Sequence, residues 1–169
     1  QGARAVNAAV DGWIARGLPE DLFVIWGTGR AGYEQFAHRA SERARVCPYL
    51  SPIEHAYAAS DFALTRAGAL TLAELCAWGI PPILVPLPTA AADHQTSNAR
   101  ALEDSGAAVV ITQRELSVDR IDGTVRALLE QPDRLAKLAA SAARRGRPHA
   151  ADEIARRILA VARFPRSQA

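Results

Sequence analysis

Short apolar runs alternate along this chain with segments of helical spacing, and that alternation restricts the fold more than any other feature. Residues 22–26 read Leu-Phe-Val-Ile-Trp without a polar break, as suits a strand buried on both faces. Further strands are expected at 45–50, 62–65, 83–87 and 107–111. Helices are expected at 3–16, with Val6, Val10, Trp13 and Ile14 spaced along one face, and at the polar stretch 31–44. Others are expected at 52–59, opened by Ser51 with Pro52 in the first helical position, and at 71–78, closed by Gly79. Asp93 caps a helix running to Asp104, and helices at 118–130, 133–145 and 151–163 follow. The tail at 164–169 is expected to fray. Strands alternating with helices imply an α/β domain, a Rossmann-like doubly wound parallel sheet with helices on both faces. Ligands bind such sheets at the carboxyl ends of the strands.

The first strand of a doubly wound sheet is central, yet here the first helix has no strand before it. The chain opens at Gln1 and contains no methionine. The expectation is one domain over 1–163 with a slot in the middle of its sheet, filled by a strand encoded upstream. A length of 169 residues suits one domain with a real core. A net charge of +2 is too small to argue for a nucleic-acid partner. No run of apolar residues is long enough to span a membrane. Cys47 and Cys76 stand alone in an expected strand and helix, where reduced thiols are expected rather than a metal pair.

Two loops leave strand ends and carry the chemistry. The first is Arg66-Ala67-Gly68-Ala69-Leu70-Thr71-Leu72-Ala73-Glu74. A glycine-bearing turn from strand to helix presents unpaired N–H groups and the positive end of the helix dipole, a setting that attracts phosphate. Glu74 would then face a ribose. The same residues also read as a capping box, with Thr71 and Glu74 satisfying each other's backbone donors. The second loop runs from Pro86-Leu87-Pro88 into Asp93-His94-Gln95-Thr96-Ser97-Asn98. Gln95 and Asn98 share a helix face and each offers both donor and acceptor, as sugar hydroxyls require. A polar first turn of this kind can equally be a plain cap.

Gly27-Thr28-Gly29-Arg30-Ala31-Gly32 matches the dinucleotide fingerprint after a strand. The fingerprint also wants a carboxylate at the end of the next strand, but Cys47-Pro48-Tyr49-Leu50-Ser51 has none. A glycine-rich turn beside a cleft is the alternative to nicotinamide or flavin binding.

Taken together, Arg66-Ala67-Gly68-Ala69-Leu70-Thr71-x-x-Glu74, Gly79-Ile80-Pro81, Val85-Pro86-Leu87-Pro88 and Asp93-His94-Gln95-x-x-Asn98-Ala99 closely resemble the MurG glycosyltransferases. Gln1-Gly2-Ala3-Arg4 is similar to the end of that family's Gly-Gly-Ser-Gln-Gly-Ala-Arg turn, and Leu116-Ser117 before a helix also fits. The resemblance covers nearly the whole chain in the right order. It implies the C-terminal half of a GT-B enzyme, an inverting transferase moving N-acetylglucosamine from UDP-N-acetylglucosamine to lipid I to make lipid II for peptidoglycan. This half would bind the donor. Carried over by position, the Leu50 backbone would meet uracil, and Gly68, Ala69, Leu70 and Thr71 would hold the pyrophosphate. Glu74 would bind the ribose, and His94, Gln95 and Asn98 the sugar. No catalytic base lies in this half, which alone would be inactive.

The family requires no bound metal or other cofactor, and no Asp-x-Asp motif is present. The implied partners are a UDP-sugar, the N-terminal acceptor domain of the same enzyme and, through that domain, membrane-bound lipid I. The implied location is cytoplasmic, peripheral on the inner membrane. The sequence departs from the family in the apolar loop Thr89-Ala90-Ala91-Ala92, and in His94, where some members carry glutamine. Another GT-B transferase, with a lipid or antibiotic acceptor, would use the same loops. Arg144, Arg145, Arg147, Arg156 and Arg157 form either a solvated helix face or a contact to anionic lipid.

Overall fold

The computed structural model describes residues 3–90 and 93–162. The tail at 164–169, Arg163, Gln1, Gly2, Ala91 and Ala92 lie outside the described residues. The amphipathic helix α1 (Arg4–Arg16) buries Val6, Val10 and Trp13, as its spacing predicts. β1 (Val24–Gly27) and β2 (Ala44–Cys47) pair in parallel, with Trp26 opposite Val46. β3 (Ala63–Thr65), β4 (Pro82–Leu84) and β5 (Val109–Val110) form a second parallel sheet in the order β3-β4-β5. β1 and β3 each pair on one side only among the described residues. The sheet is therefore in two pieces, and one core joins them: Trp26 and Val46 from the first, with Ile83, Val85 and Ile111 from the second.

Helices cover this core from two sides. α6 (Val118–Leu129) packs on α1, where the Trp13 indole donates to Asp122 at 3.0 Å, and it sends Ile121, Val125 and Leu128 inward. Ser117 caps α6 by accepting from the Arg120 N–H at 3.1 Å. α4 (Ala69–Trp78) packs on α7 (Pro132–Arg145), burying Leu72, Cys76 and Ala142. Gly79 ends α4 at φ 69°, and the Ile80 N–H returns to the Leu75 carbonyl at 2.9 Å, the closure its glycine predicts. α5 (His94–Asp104) packs on β5.

Two expectations need correction. The apolar run at 22–26 is not buried on both faces, since Phe23 is 70% exposed while Trp26 is buried. The Trp26 indole meets Asn7 of α1, while Phe23 and Ile25 at the alternate positions stay exposed. The expected helix at 31–44 is broken into a short 3-10 turn (Arg30–Gly32), a single-turn α2 (Tyr33–Phe36) and a second 3-10 turn (Ala37–Arg39). Tertiary contacts override the local pattern here: Phe36 packs at a tilt against Trp26, with ring centroids 5.0 Å apart, and Arg39 pairs with Asp11 of α1 at 2.6 Å. The expected helix at 151–163 forms as α8 (Ala150–Ala162), with Ile154, Ile158, Leu159 and Val161 exposed on it.

Candidate functional site

The turn after β3 is built as an open helix N-terminus. α4 begins at Ala69, with Gly68 as its extended N-cap and no side-chain cap. Its first intrahelical bond runs from the Leu72 N–H to the Gly68 carbonyl at 3.0 Å. The N–H groups of Ala69, Leu70 and Thr71 therefore have no acceptor among the described residues, and Ala69 and Leu70 are exposed. Gly68 has φ −70° and ψ 134°, which any residue adopts. A Cβ placed there would meet nothing nearer than the Thr71 hydroxyl at 3.9 Å. The fold itself does not call for glycine at this position. What glycine provides is a bare turn that another molecule can approach closely.

The capping box does not form. The helix starts two residues earlier than the sequence predicts, which puts Thr71 inside the first turn. Glu74 turns away from the backbone and accepts from the Tyr57 hydroxyl at 2.7 Å. Tyr57 lies on α3 (Ile53–Ala58), against Trp78 at a ring separation of 6.0 Å. Burial, with the Glu74 carboxylate next in weight, pushes the Tyr57 hydroxyl well above the ordinary phenol range. It stays a donor throughout any working pH. Glu74 is half-buried, so its carboxylate keeps an open side.

The two loops lie side by side, as the strand order predicts. Asn98 of α5 donates through Nδ2 to the Ala67 carbonyl at 3.2 Å, tying the second loop to the Gly68 turn. The Gln95 side-chain carbonyl accepts from the Leu87 N–H at 3.1 Å, leaving its NH₂ to point elsewhere. His94 is exposed at the first position of α5. Asp93 precedes it at φ 52° and does not cap the helix; it accepts from the Thr96 hydroxyl at 2.6 Å. Leu50, half-buried, leads into α3 and covers Gly27, where a Cβ would come within 3.1 Å of its Cγ.

The sequence did not reveal three organising residues. Tyr57 is one. Arg66 is another: it donates to the carbonyls of Val85 (3.0 Å) and Pro86 (3.2 Å) and to the Gln113 side chain (2.8 Å). Burial lowers its pKa. The third is Asn7, which donates to the Thr28 carbonyl at 2.8 Å and accepts from the Trp26 indole at 3.2 Å. Its one sequence signal was a polar residue on the apolar face of α1. Asn7 and Thr28 hold the glycine-rich turn after β1, and the helix that follows is the single-turn α2. That turn lacks the long helix whose dipole a dinucleotide pyrophosphate would need.

A separate concavity at the ends of β4 and β5 is lined by Pro86, Pro88, Thr96, Arg100, Gln113 and Arg114. It does not include the Gly68 turn, whose amides open onto an exposed shelf. Among the described residues no cluster of His, Cys, Asp or Glu could hold a metal ion, and no helix is long and apolar enough to cross a membrane.

The model of the glycosyltransferase family 28 C-terminal domain matches residues 1–154. The chain belongs to this family. A curated relative from Salinibacter ruber is named UDP-N-acetylglucosamine--N-acetylmuramyl-(pentapeptide) pyrophosphoryl-undecaprenol N-acetylglucosamine transferase. It is 43% identical over 95% of this chain and 44% of its own length. A relative of the same name from Chlorobium limicola is 39% identical over 96% of this chain and 45% of its own. The family 28 domain described here thus spans less than half the length of these relatives. The crystal structure of MurG from Acinetobacter baumannii matches with a TM-score of 0.79 at 27% identity, over 95% of this chain and 49% of that one. The glycosyltransferase VinC, solved in complex with dTDP, matches in fold with a TM-score of 0.67 at 18% identity, over 87% of this chain and 37% of that one. The GT-B fold expected from the sequence stands on these matches.

Proposed function

We propose that this chain is the donor-binding half of an inverting glycosyltransferase that moves N-acetylglucosamine from UDP-N-acetylglucosamine to lipid I. The observation that carries this reading is the bare Gly68 turn with the three open amides of Ala69, Leu70 and Thr71 beside it. In the reaction the bond between the sugar C1 and the β-phosphate oxygen breaks. An acceptor hydroxyl oxygen bonds to C1 and gives up its proton to a base in the other half. Negative charge accumulates on the departing UDP. Fixed amide donors and the positive end of α4 stabilise that charge without reorganising, so no metal is required for this step.

Glu74 supplies its open carboxylate edge to the ribose hydroxyls, and the Leu50 backbone meets uracil. His94, Gln95 and Asn98 border the sugar, Asn98 chiefly by fixing the turn. The relatives' extra length supports an acceptor half outside this chain. The exposed apolar side chains of α8 and the unpaired edges of β1 and β3 support further chain against this body, including a central strand. Attachment to the cytoplasmic face of the membrane belongs to that other half.

The test is calorimetric titration of the full-length gene product with UDP-N-acetylglucosamine, UDP-glucose and NAD. UDP-N-acetylglucosamine should bind tightest. Glu74→Ala should weaken it roughly 10- to 150-fold, the worth of hydrogen bonds to a charged group. Unchanged affinity in Glu74→Ala would remove the ribose role. A preference for UDP-glucose would point to another acceptor class.

A further inference from the structure

The geometry points to Tyr57 as the positioning residue of the nucleoside subsite, holding the Glu74 carboxylate in the orientation that selects a ribose over a deoxyribose. This inference rests on the reading of Glu74 as the ribose ligand. Three residues from two helices make the device. Glu74 and Trp78 are one turn apart on α4, so they share a face. Tyr57 comes from α3, its ring tilted 50° against Trp78 and its hydroxyl 2.7 Å from Glu74 Oε2.

A half-buried glutamate with no partner samples several rotamers, and ligand binding must then select one. Here the phenol fixes the position of Oε2, and the indole fixes the phenol. A carboxylate has about four lone-pair sites. Tyr57 occupies one of them, leaving Oε1 and the rest of Oε2 for two vicinal hydroxyls. The hydroxyl proton stays in place, because burial and the neighbouring carboxylate both disfavour its loss. Glu74 is therefore the acceptor in this pair. Such a site penalises an analogue that lacks the hydroxyls, since its oriented lone pairs go unmatched.

The alternative is that Tyr57 merely packs α3 on α4. The two roles differ in what the phenol oxygen does. Tyr57→Phe keeps the ring on Trp78 and removes only the hydroxyl. Full-length wild type, Tyr57→Phe, Glu74→Ala and the double variant would be titrated with UDP and with 2′,3′-dideoxy-UDP. Tyr57→Phe should weaken UDP roughly three- to tenfold, the cost of immobilising one side chain on binding. It should leave dideoxy-UDP unchanged. In the Glu74→Ala background the same substitution should have no further effect. If wild type prefers UDP but Tyr57→Phe lowers both ligands equally, or neither, the positioning role is overturned while the ribose role stands. If wild type binds both nucleotides equally and Glu74→Ala changes nothing, the ribose role itself fails and the inference falls with it.

Discussion

Helix α4 carries both the open amides and Glu74, so whatever displaces it reaches the site, and Gly146 is where that dependence can be measured. The residue ends α7 with φ −63° and ψ 149°, angles open to any amino acid. Substitution by alanine would put a Cβ 2.5 Å from the Cys76 carbonyl oxygen and 2.9 Å from the Ala77 Cα. Both are backbone atoms of α4, so no side-chain rotation relieves the overlap. The two helices must separate, against the packing of Cys76 and Ala142. Overpacking of this kind costs about 1–3 kcal/mol. The lost flexibility of the unfolded chain offsets about 0.4–1 kcal/mol of that. The net loss is about 1–2 kcal/mol, because contact with rigid backbone belongs at the upper end of the range. For a domain of this size that lowers Tm by roughly 2–8 °C. The control is Gly123→Ala within α6, where nothing lies within 4 Å of the new Cβ. It should gain about 0.5–1 kcal/mol from helix propensity alone. Thermal melts followed by far-UV circular dichroism compare the three proteins. A Gly146→Ala protein that melts at or above wild type would refute the argument that backbone contact sets the α4–α7 spacing.

Two further substitutions test the joints around the site and core. Asn98→Ala should lose about 1 kcal/mol in urea denaturation, by removing the donor to the buried Ala67 carbonyl. Asn98→Asp should lose more, because a carboxylate would then face that carbonyl; equal stability of all three proteins would show the bond to be idle. Asp122 accepts from Arg126 Nε at 2.7 Å and from the Trp13 indole at 3.0 Å, and the guanidinium first, then the indole, hold its pKa below the ordinary carboxylate value. A depressed folded-state pKa stabilises the protein above the unfolded value of about 3.9, and the contribution disappears as pH falls through the folded pKa. The stability lead of wild type over Asp122→Asn should therefore shrink below about pH 4. A lead that is constant from neutral to acid pH would contradict it.

Local pattern carried much of this architecture. Helix α1 follows from Val6, Val10 and Trp13, the end of α4 from Gly79, and the start of α6 from Ser117. Each depends on residues within a turn or two of one another. Misreadings arose where partners are far apart in sequence. The stretch at 31–44 has helical spacing, but Phe36 is drawn to Trp26 and Arg39 to Asp11, and the helix yields. Thr71 and Glu74 have the spacing of a capping box, but a tyrosine seventeen positions earlier takes the carboxylate. Asp93 has the identity of a cap, but Thr96 engages its side chain while its backbone takes a left-handed conformation. No spacing rule ranks a nearby partner against a distant one; only the packed arrangement does.

The same division explains which site residues could be read from the sequence. A shelf of open main-chain amides, of the kind that suits phosphate, requires only a strand end, a small residue and a helix start, so a short motif encodes it. The residues that hold the shelf in place are long-range. Arg66 shows why the distinction matters, since an arginine beside such a turn invites assignment as a phosphate ligand. Its Nη1 hydrogens go to the Val85 and Pro86 carbonyls and an Nη2 hydrogen goes to Gln113. Those acceptors lie at the end of β4 and just beyond β5, so the guanidinium stitches together the strand ends on which both loops stand. Asn98 then fastens the second loop to the first through Ala67. On the proposed reading, the charge that would meet a departing phosphate comes from the N-terminus of α4, while Arg66 is engaged by the strand ends that carry both loops.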